Sequence, residues 1–88
     1  MGWQIELAGS ADSTLAKLDP QIARRILAFL YQRVATLDNP RSIGAALKGP
    51  LGTFWKYRVG DHRIICDIRD SLLTILVLRI GNRRGVYR

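Results

Sequence analysis

Thr53-Phe54-Trp55-Lys56-Tyr57-Arg58-Val59, then Gly60-Asp61-His62, then Arg63-Ile64-Ile65-Cys66-Asp67-Ile68-Arg69, then Asp70-Ser71, then Leu72-Leu73-Thr74-Ile75-Leu76-Val77-Leu78-Arg79-Ile80 is the stretch that decides the fold. It holds three runs rich in aromatic, β-branched and leucine side chains, separated by two short polar breaks, and each run reads as a strand. Breaks of two or three residues connect antiparallel neighbours, because a parallel return needs a crossover. Side chains alternate between the faces of a strand. Trp55, Tyr57 and Val59, with Ile64, Cys66 and Ile68, therefore suit a buried face, while Phe54, Lys56, Arg58 and Arg63 take the other.

Upstream, Trp3-Gln4-Ile5-Glu6-Leu7 alternates apolar with polar and reads as a half-buried strand. Gly9-Ser10-Ala11-Asp12 offers capping residues ahead of a short helix carrying Leu15 and Leu18. Asp19-Pro20 is a helix start, with Asp as N-cap and Pro at the first helical position. Ile22, Ile26, Phe29, Leu30, Val34 and Leu37 follow at spacings of three and four, opposite Arg24, Arg25, Gln32 and Arg33, which predicts an amphipathic helix ending before Asp38-Asn39-Pro40. Two prolines and three glycines between Pro40 and Gly52 predict that this stretch is mostly loop. The expected class is α+β, a single domain over residues 1–88. An N-terminal strand, two helices and a three-stranded antiparallel meander form one sheet with the helices on one face.

The charge is lopsided. Fourteen Lys and Arg stand against seven Asp and Glu, a net +7, and eleven of the fourteen are arginine. Residues 56–88 hold eight of the bases and three of the acids. This balance points to an anionic partner, nucleic acid first and an acidic protein second. Arginine's planar fork grips phosphate in bidentate fashion and stacks on bases, which favours nucleic acid. Cys66 is the only cysteine, which excludes an intrachain disulfide and a cysteine-rich metal site. No signal-peptide pattern or membrane-length apolar run is present, so a soluble, cytoplasmic protein with no membrane partner is expected.

Leu47-Lys48-Gly49-Pro50-Leu51-Gly52-Thr53-Phe54-Trp55-Lys56-Tyr57-Arg58-Val59-Gly60-Asp61-His62-Arg63-Ile64-Ile65 resembles the central signature of RelE-type toxins of the RelE/ParE superfamily. The ending, Val77-Leu78-Arg79-Ile80-Gly81-Asn82-Arg83-Arg84-Gly85-Val86-Tyr87-Arg88, resembles the family's second signature. The resemblance implies a toxin of a type II toxin–antitoxin system, a ribosome-dependent endoribonuclease that cleaves mRNA in the A site. A ribose 2′-hydroxyl attacks the adjacent phosphate, leaving a 2′,3′-cyclic phosphate and a free 5′-hydroxyl, with no metal and no cofactor. By the same resemblance the catalytic set falls on Lys56, Arg58, Arg63, Arg83 and Tyr87. Arg58 departs from the family's second lysine. Lys48, Arg84 and Arg88 are the expected RNA-binding residues. The implied partners are the ribosome with its mRNA and a cognate RelB-like antitoxin, acidic and partly disordered, with DNA contacted only through that antitoxin. The rival within the superfamily is a ParE-like toxin that inhibits DNA gyrase and cuts nothing. A non-enzymatic nucleic-acid-binding module is a further rival.

The chemistry suits these residue types. Clustered guanidinium groups stabilise charge on the phosphoryl oxygens. Arginine cannot readily give up its proton, whereas a lysine crowded by like charges can, so Lys56 is the candidate general base. Arg83 stabilises the leaving oxygen or donates to it, and Tyr87 stacks on or orients the nucleotide. Each has a plainer reading. Lys56 and Arg58 as a solvated strand face, Arg63 paired with Asp61 or Asp67, Arg83 and Arg84 as a nonspecific phosphate grip, and Tyr87 as a frayed end all stay open. His62 reads as a polar turn residue, Cys66 as a small buried apolar one, and Trp55 and Tyr57 as core.

Overall fold

A computed structural model describes residues 2–50 and 52–82. Strand β1 (Gln4–Leu7) leads into helices α1 (Gly9–Lys17) and α2 (Pro20–Ala28). Strands β2 (Ala45–Gly49), β3 (Gly52–Val59), β4 (His62–Arg69) and β5 (Thr74–Asn82) follow. They form one five-stranded sheet in the order β1-β5-β4-β3-β2, with β1 parallel to β5 and every other pair antiparallel.

The α+β class and the meander stand as expected, and one element corrects the reading of Pro40–Gly52 as a loop. Residues Ala45–Gly49 form the edge strand β2, paired with β3 from Ala45 opposite Lys56 to Gly49 opposite Gly52. Only Pro40–Ser42, a single 3-10 turn, and its flanks keep the irregular path. The predicted helix from Pro20 also changes character. It runs regularly to Ala28 and continues as a wider π-helical stretch over Phe29–Val34. Its N-terminus is as read: the Asp19 carboxylate accepts from the Gln21 amide at 2.9 Å, with Pro20 in the first turn.

The core lies between the helices and one face of the sheet. Ala11 and Leu15 from α1, Ile26 from α2, and Leu30 and Val34 beyond it meet Tyr57, Ile64, Cys66, Ile68, Ile75, Val77 and Ile80. On β3 and β4 the strand members sit at alternate positions, which is why the alternation there predicted the buried face. Trp55 and Val59 pack against its edge.

The chain from Asn39 to Gly44 clasps β3 from this inner side. The Tyr57 hydroxyl donates to the Pro40 carbonyl, and Trp55 Nε1 donates to the Ile43 carbonyl at 2.7 Å. Arg41 reaches back to the Asp70 carboxylate with both terminal nitrogens at 2.9 Å, and this hydrogen-bonded guanidinium holds Asp70 below the usual carboxylate range. Gly44 has φ +83°, and a Cβ there would stand 2.5 Å from the Lys56 carbonyl oxygen. Only glycine lets the backbone pass this close.

Candidate nucleic-acid interface

The other face of the sheet carries the basic residues. Arg58 on β3 stands directly opposite Arg63 on β4, and Arg63 stands opposite Gly81 on β5. Two pairs further along, and so on the same face, Ala45, Lys56, Ile65 and Arg79 form a second row across four strands. Directly opposed side chains in an antiparallel pair have Cβ atoms about 4.5–5.5 Å apart, and diagonal ones about 7–8 Å. Arg63 is therefore adjacent to Arg58 and diagonal to both Lys56 and Arg79.

The local environment differs from residue to residue. Lys56 and Arg63 are half-buried, with the Arg63 Nε shielded from solvent, while Arg58 and Arg79 are exposed. Arg58 Nε donates to the Gly60 carbonyl at 3.1 Å, which folds its stem over the hairpin turn. Ile65 is buried at 8% exposure yet belongs to no part of the helix-side core, because it lies on this second face between Lys56 and Arg79. It gives the cluster an apolar floor. Acids on the same face stand in another row, where Glu6 and Asp67 flank Leu76, and Asp67 is paired with Arg69 at 3.2 Å.

Of the expected site residues, Lys56, Arg58 and Arg63 converge on this face. Lys48 does not join them: its register partner is Thr53, which shares the side of Trp55 and Tyr57. Arg83, Arg84, Tyr87 and Arg88 lie outside the described residues. The last described residue, Asn82, stands opposite His62, one step beyond the Arg63–Gly81 pair. His62 is the first residue of β4 and has the parity of Ile64, so it is set away from Lys56. Burial pushes the Cys66 thiol up to about 12, with the neighbouring Asp67 charge adding to it. Burial likewise raises the Tyr57 phenol, whose ring meets Phe29 edge-on at 5.8 Å. Neither is available as a nucleophile or base at neutral pH.

Arg79 is the residue that sequence reasoning missed. Strict alternation from Ile75 and Val77 would turn it inward. Between β4 and β5 the register instead jumps from Cys66–Val77 to Ile65–Arg79, leaving Leu78 as an extra residue. A bulge of this kind reverses the parity of everything after it. It buries Ile80 and turns Arg79 outward. Among the described residues no group of three or more His, Cys, Asp or Glu side chains is placed to hold a metal, and no helix is long and apolar enough to cross a membrane.

Residues 5–87 match the family model described as the ParE toxin of the type II toxin–antitoxin system parDE. The chain is 26% identical to toxin RelG of Mycobacterium tuberculosis (strain ATCC 25618 / H37Rv) over 88 residues, covering all of this chain and 99% of that one. Among solved structures, the toxin–antitoxin complex RelBE2 from Mycobacterium tuberculosis superposes with a TM-score of 0.83 at 24% identity, covering 94% of this chain and 93% of its counterpart. The archaeal RelE–RelB complex from Pyrococcus horikoshii OT3 gives 0.76 at 22% identity, with 97% and 99% covered.

Proposed function

The chain belongs to the ParE-toxin family of type II toxin–antitoxin systems and is a RelE-type toxin of the RelE/ParE superfamily; from that premise we propose that it is a ribosome-dependent endoribonuclease that cuts mRNA in the A site and so inhibits translation. The observation that supports cutting is the placement of Lys56 in a cluster with Arg58 and Arg63 on the sheet face opposite the one that α1 and α2 pack against. A passive basic surface needs only guanidinium groups. A nuclease without a metal needs a group that can also take up and release a proton, and among these cations only the lysine amine can.

The reaction follows from these positions. The Lys56 amine accepts the proton of the ribose 2′-hydroxyl as the 2′-oxygen bonds to phosphorus. Arg58 and Arg63 stabilise the charge that builds on the non-bridging oxygens. The P–O5′ bond breaks, the 5′-oxygen takes a proton from water, which the Lys56 ammonium makes good by returning the one it accepted, and the upstream fragment keeps a 2′,3′-cyclic phosphate. Arg83, next in sequence after Asn82, serves the leaving oxygen, and Tyr87 orients the nucleotide. Arg84 and Arg88 add weaker phosphate contacts, while Lys48, on the other side of β2, contributes none.

An acidic, partly disordered antitoxin of the RelB type neutralises the toxin by folding over the basic face, in keeping with the RelB-containing complexes that share the fold. Any DNA contact comes through that antitoxin. The site of action is the cytoplasm, where mRNA is translated.

The test is purified protein added to ribosomes stalled on a defined messenger, with cleavage mapped by primer extension beside Lys56→Ala. Cutting in the A-site codon that the variant lowers by about two orders of magnitude or more is expected for a general base. Cutting that survives the substitution moves the active site elsewhere. The family model carries the ParE description, so absence of cutting together with inhibition of DNA gyrase establishes the rival reading.

A further inference from the structure

We propose that Arg79 is a further RNA-phosphate contact of this toxin, turned onto the basic face by the Leu78 bulge, and that it extends the substrate track across β5. The inference rests on the nuclease reading for its ligand but on separate observations for its geometry.

Three observations carry it. The register shift between Ile65 and Cys66 inserts Leu78, and this alone brings Arg79 opposite Ile65 and into the row of Lys56. The bulge is fixed from the helix side, where the Ser10 hydroxyl of α1 donates to the Leu78 carbonyl at 2.6 Å. The outward turn of Arg79 is thus built into the packing of α1 on β5. Finally, Arg79 is exposed and has no acidic partner among the described residues, unlike Arg41 and Arg69, which the structure pairs with Asp70 and Asp67. Nor does it donate to a main-chain carbonyl as Arg24 and Arg58 do. Its diagonal neighbours on β4 are Arg63 and Asp67, and Asp67 is paired with Arg69, so the Arg79 guanidinium suits an anion brought from outside.

The geometry sets the direction of the bound strand. Arg58 and Arg63 form one pair, and Arg79 lies diagonal to Arg63 on the next strand, about 7–8 Å away. Single-stranded RNA crossing from β3 to β5 brings its scissile phosphate over Lys56, Arg58 and Arg63 and a neighbouring phosphate over Arg79. Ile65, between Lys56 and Arg79, offers the intervening sugar or base an apolar floor. Arg79 therefore binds and places the strand and takes no part in proton transfer.

The experiment measures binding without cleavage. Ribosomes stalled on a messenger whose A-site codon carries 2′-deoxyriboses are titrated with wild type, Arg79→Ala and Arg79→Lys over a range of salt concentrations, beside vacant ribosomes. Arg79→Ala is expected to weaken binding about tenfold and to reduce the slope of log affinity against log salt by about 0.7, one phosphate contact on a single strand. Arg79→Lys, which keeps the charge, should retain the slope. A loss confined to messenger-bearing ribosomes assigns the phosphate to mRNA, and an equal loss on vacant ones assigns it to ribosomal RNA. Equal affinity and slope for wild type and Arg79→Ala overturn the proposal while leaving the nuclease reading intact. No binding by wild type at any salt overturns both. A thermal midpoint of Arg79→Ala below wild type by more than a few degrees, with the slope unchanged, assigns the arginine to the fold instead.

Discussion

The two faces of the sheet are made from the same strands, residue by alternate residue, and they are held to different standards. On the inner face Tyr57, Ile64, Cys66 and Ile68 are buried against the helices, and even the polar tips of Trp55 and Tyr57 are satisfied by carbonyls of the Asn39–Gly44 clasp. On the outer face Arg58 confronts Arg63, an arrangement that favours separation. The inner face is selected for its own contacts. The outer face keeps an unfavourable pair in Arg58 and Arg63, which an RNA phosphate bound as proposed would offset. Because Lys56 lies between Trp55 and Tyr57 in the chain, anchoring those two inward fixes the backbone from which the lysine projects outward.

The largest effect that sharpens this contrast comes from two adjacent isoleucines. Ile64 is fully buried in the helix-side core, while Ile65 is 8% exposed on the opposite face. Ile64→Ala is expected to cost about 3–4 kcal/mol in urea unfolding, because the space it leaves is walled by helix and sheet. Ile65→Ala is expected to cost about 1–2 kcal/mol, since the flexible stems of Lys56 and Arg79 on its row can settle into the gap. Equal losses at both positions would erase the distinction between a packed face and a functional one.

The inner face was legible in the sequence and the outer face only in part. Apolar residues at alternate positions of β3 and β4 gave the core, and Asp19-Pro20 gave the start of α2. Ala45-Ala46-Leu47-Lys48-Gly49 did not read as a strand because alanine, lysine and glycine are poor strand formers and Gly44 and Pro50 flank it. Its stability comes from main-chain pairing with β3, which leaves little mark on composition. The same gap misplaced Lys48, whose facing depends on that register. Lys56, Arg58 and Arg63 followed from alternation alone, whereas Arg79 required the bulge. A bulge is set by tertiary packing, here α1 against β5, and no local pattern around Leu78 announces it.

Alkaline pH offers a smaller effect, and it belongs to the inner face alone. Burial holds the Cys66 thiol protonated up to about 12 in the folded chain, against an ordinary value of 9.0. Between those values the unfolded chain releases a proton that the folded one retains. The stabilisation is fully present below the lower value and is lost as pH climbs from there toward the upper one. Wild type should lose about 1 kcal/mol more than Cys66→Ala between neutrality and about pH 10. The raised Tyr57 phenol acts in the same direction, so the difference between the two proteins, not the raw slope, isolates the thiol. Parallel curves would mean that Cys66 reaches solvent.

The smallest expected effect on stability falls at the residue that should matter most to activity after Lys56. Arg58→Gln removes one of two directly opposed cations and also the hydrogen bond from Nε to the Gly60 carbonyl. Relief of repulsion and loss of an exposed hydrogen bond oppose each other at similar size, so the urea midpoint should move by less than about 0.5 kcal/mol. The repulsive part is screened by salt and the hydrogen bond much less so. The variant should therefore look slightly more stable at low salt than at high salt, relative to wild type. Cleavage on stalled ribosomes should meanwhile fall about tenfold or more, since a guanidinium aimed at the phosphoryl oxygens is gone. A destabilisation above about 1 kcal/mol, independent of salt, would make Arg58 part of the scaffold, and the outer face would then owe its arginines to folding.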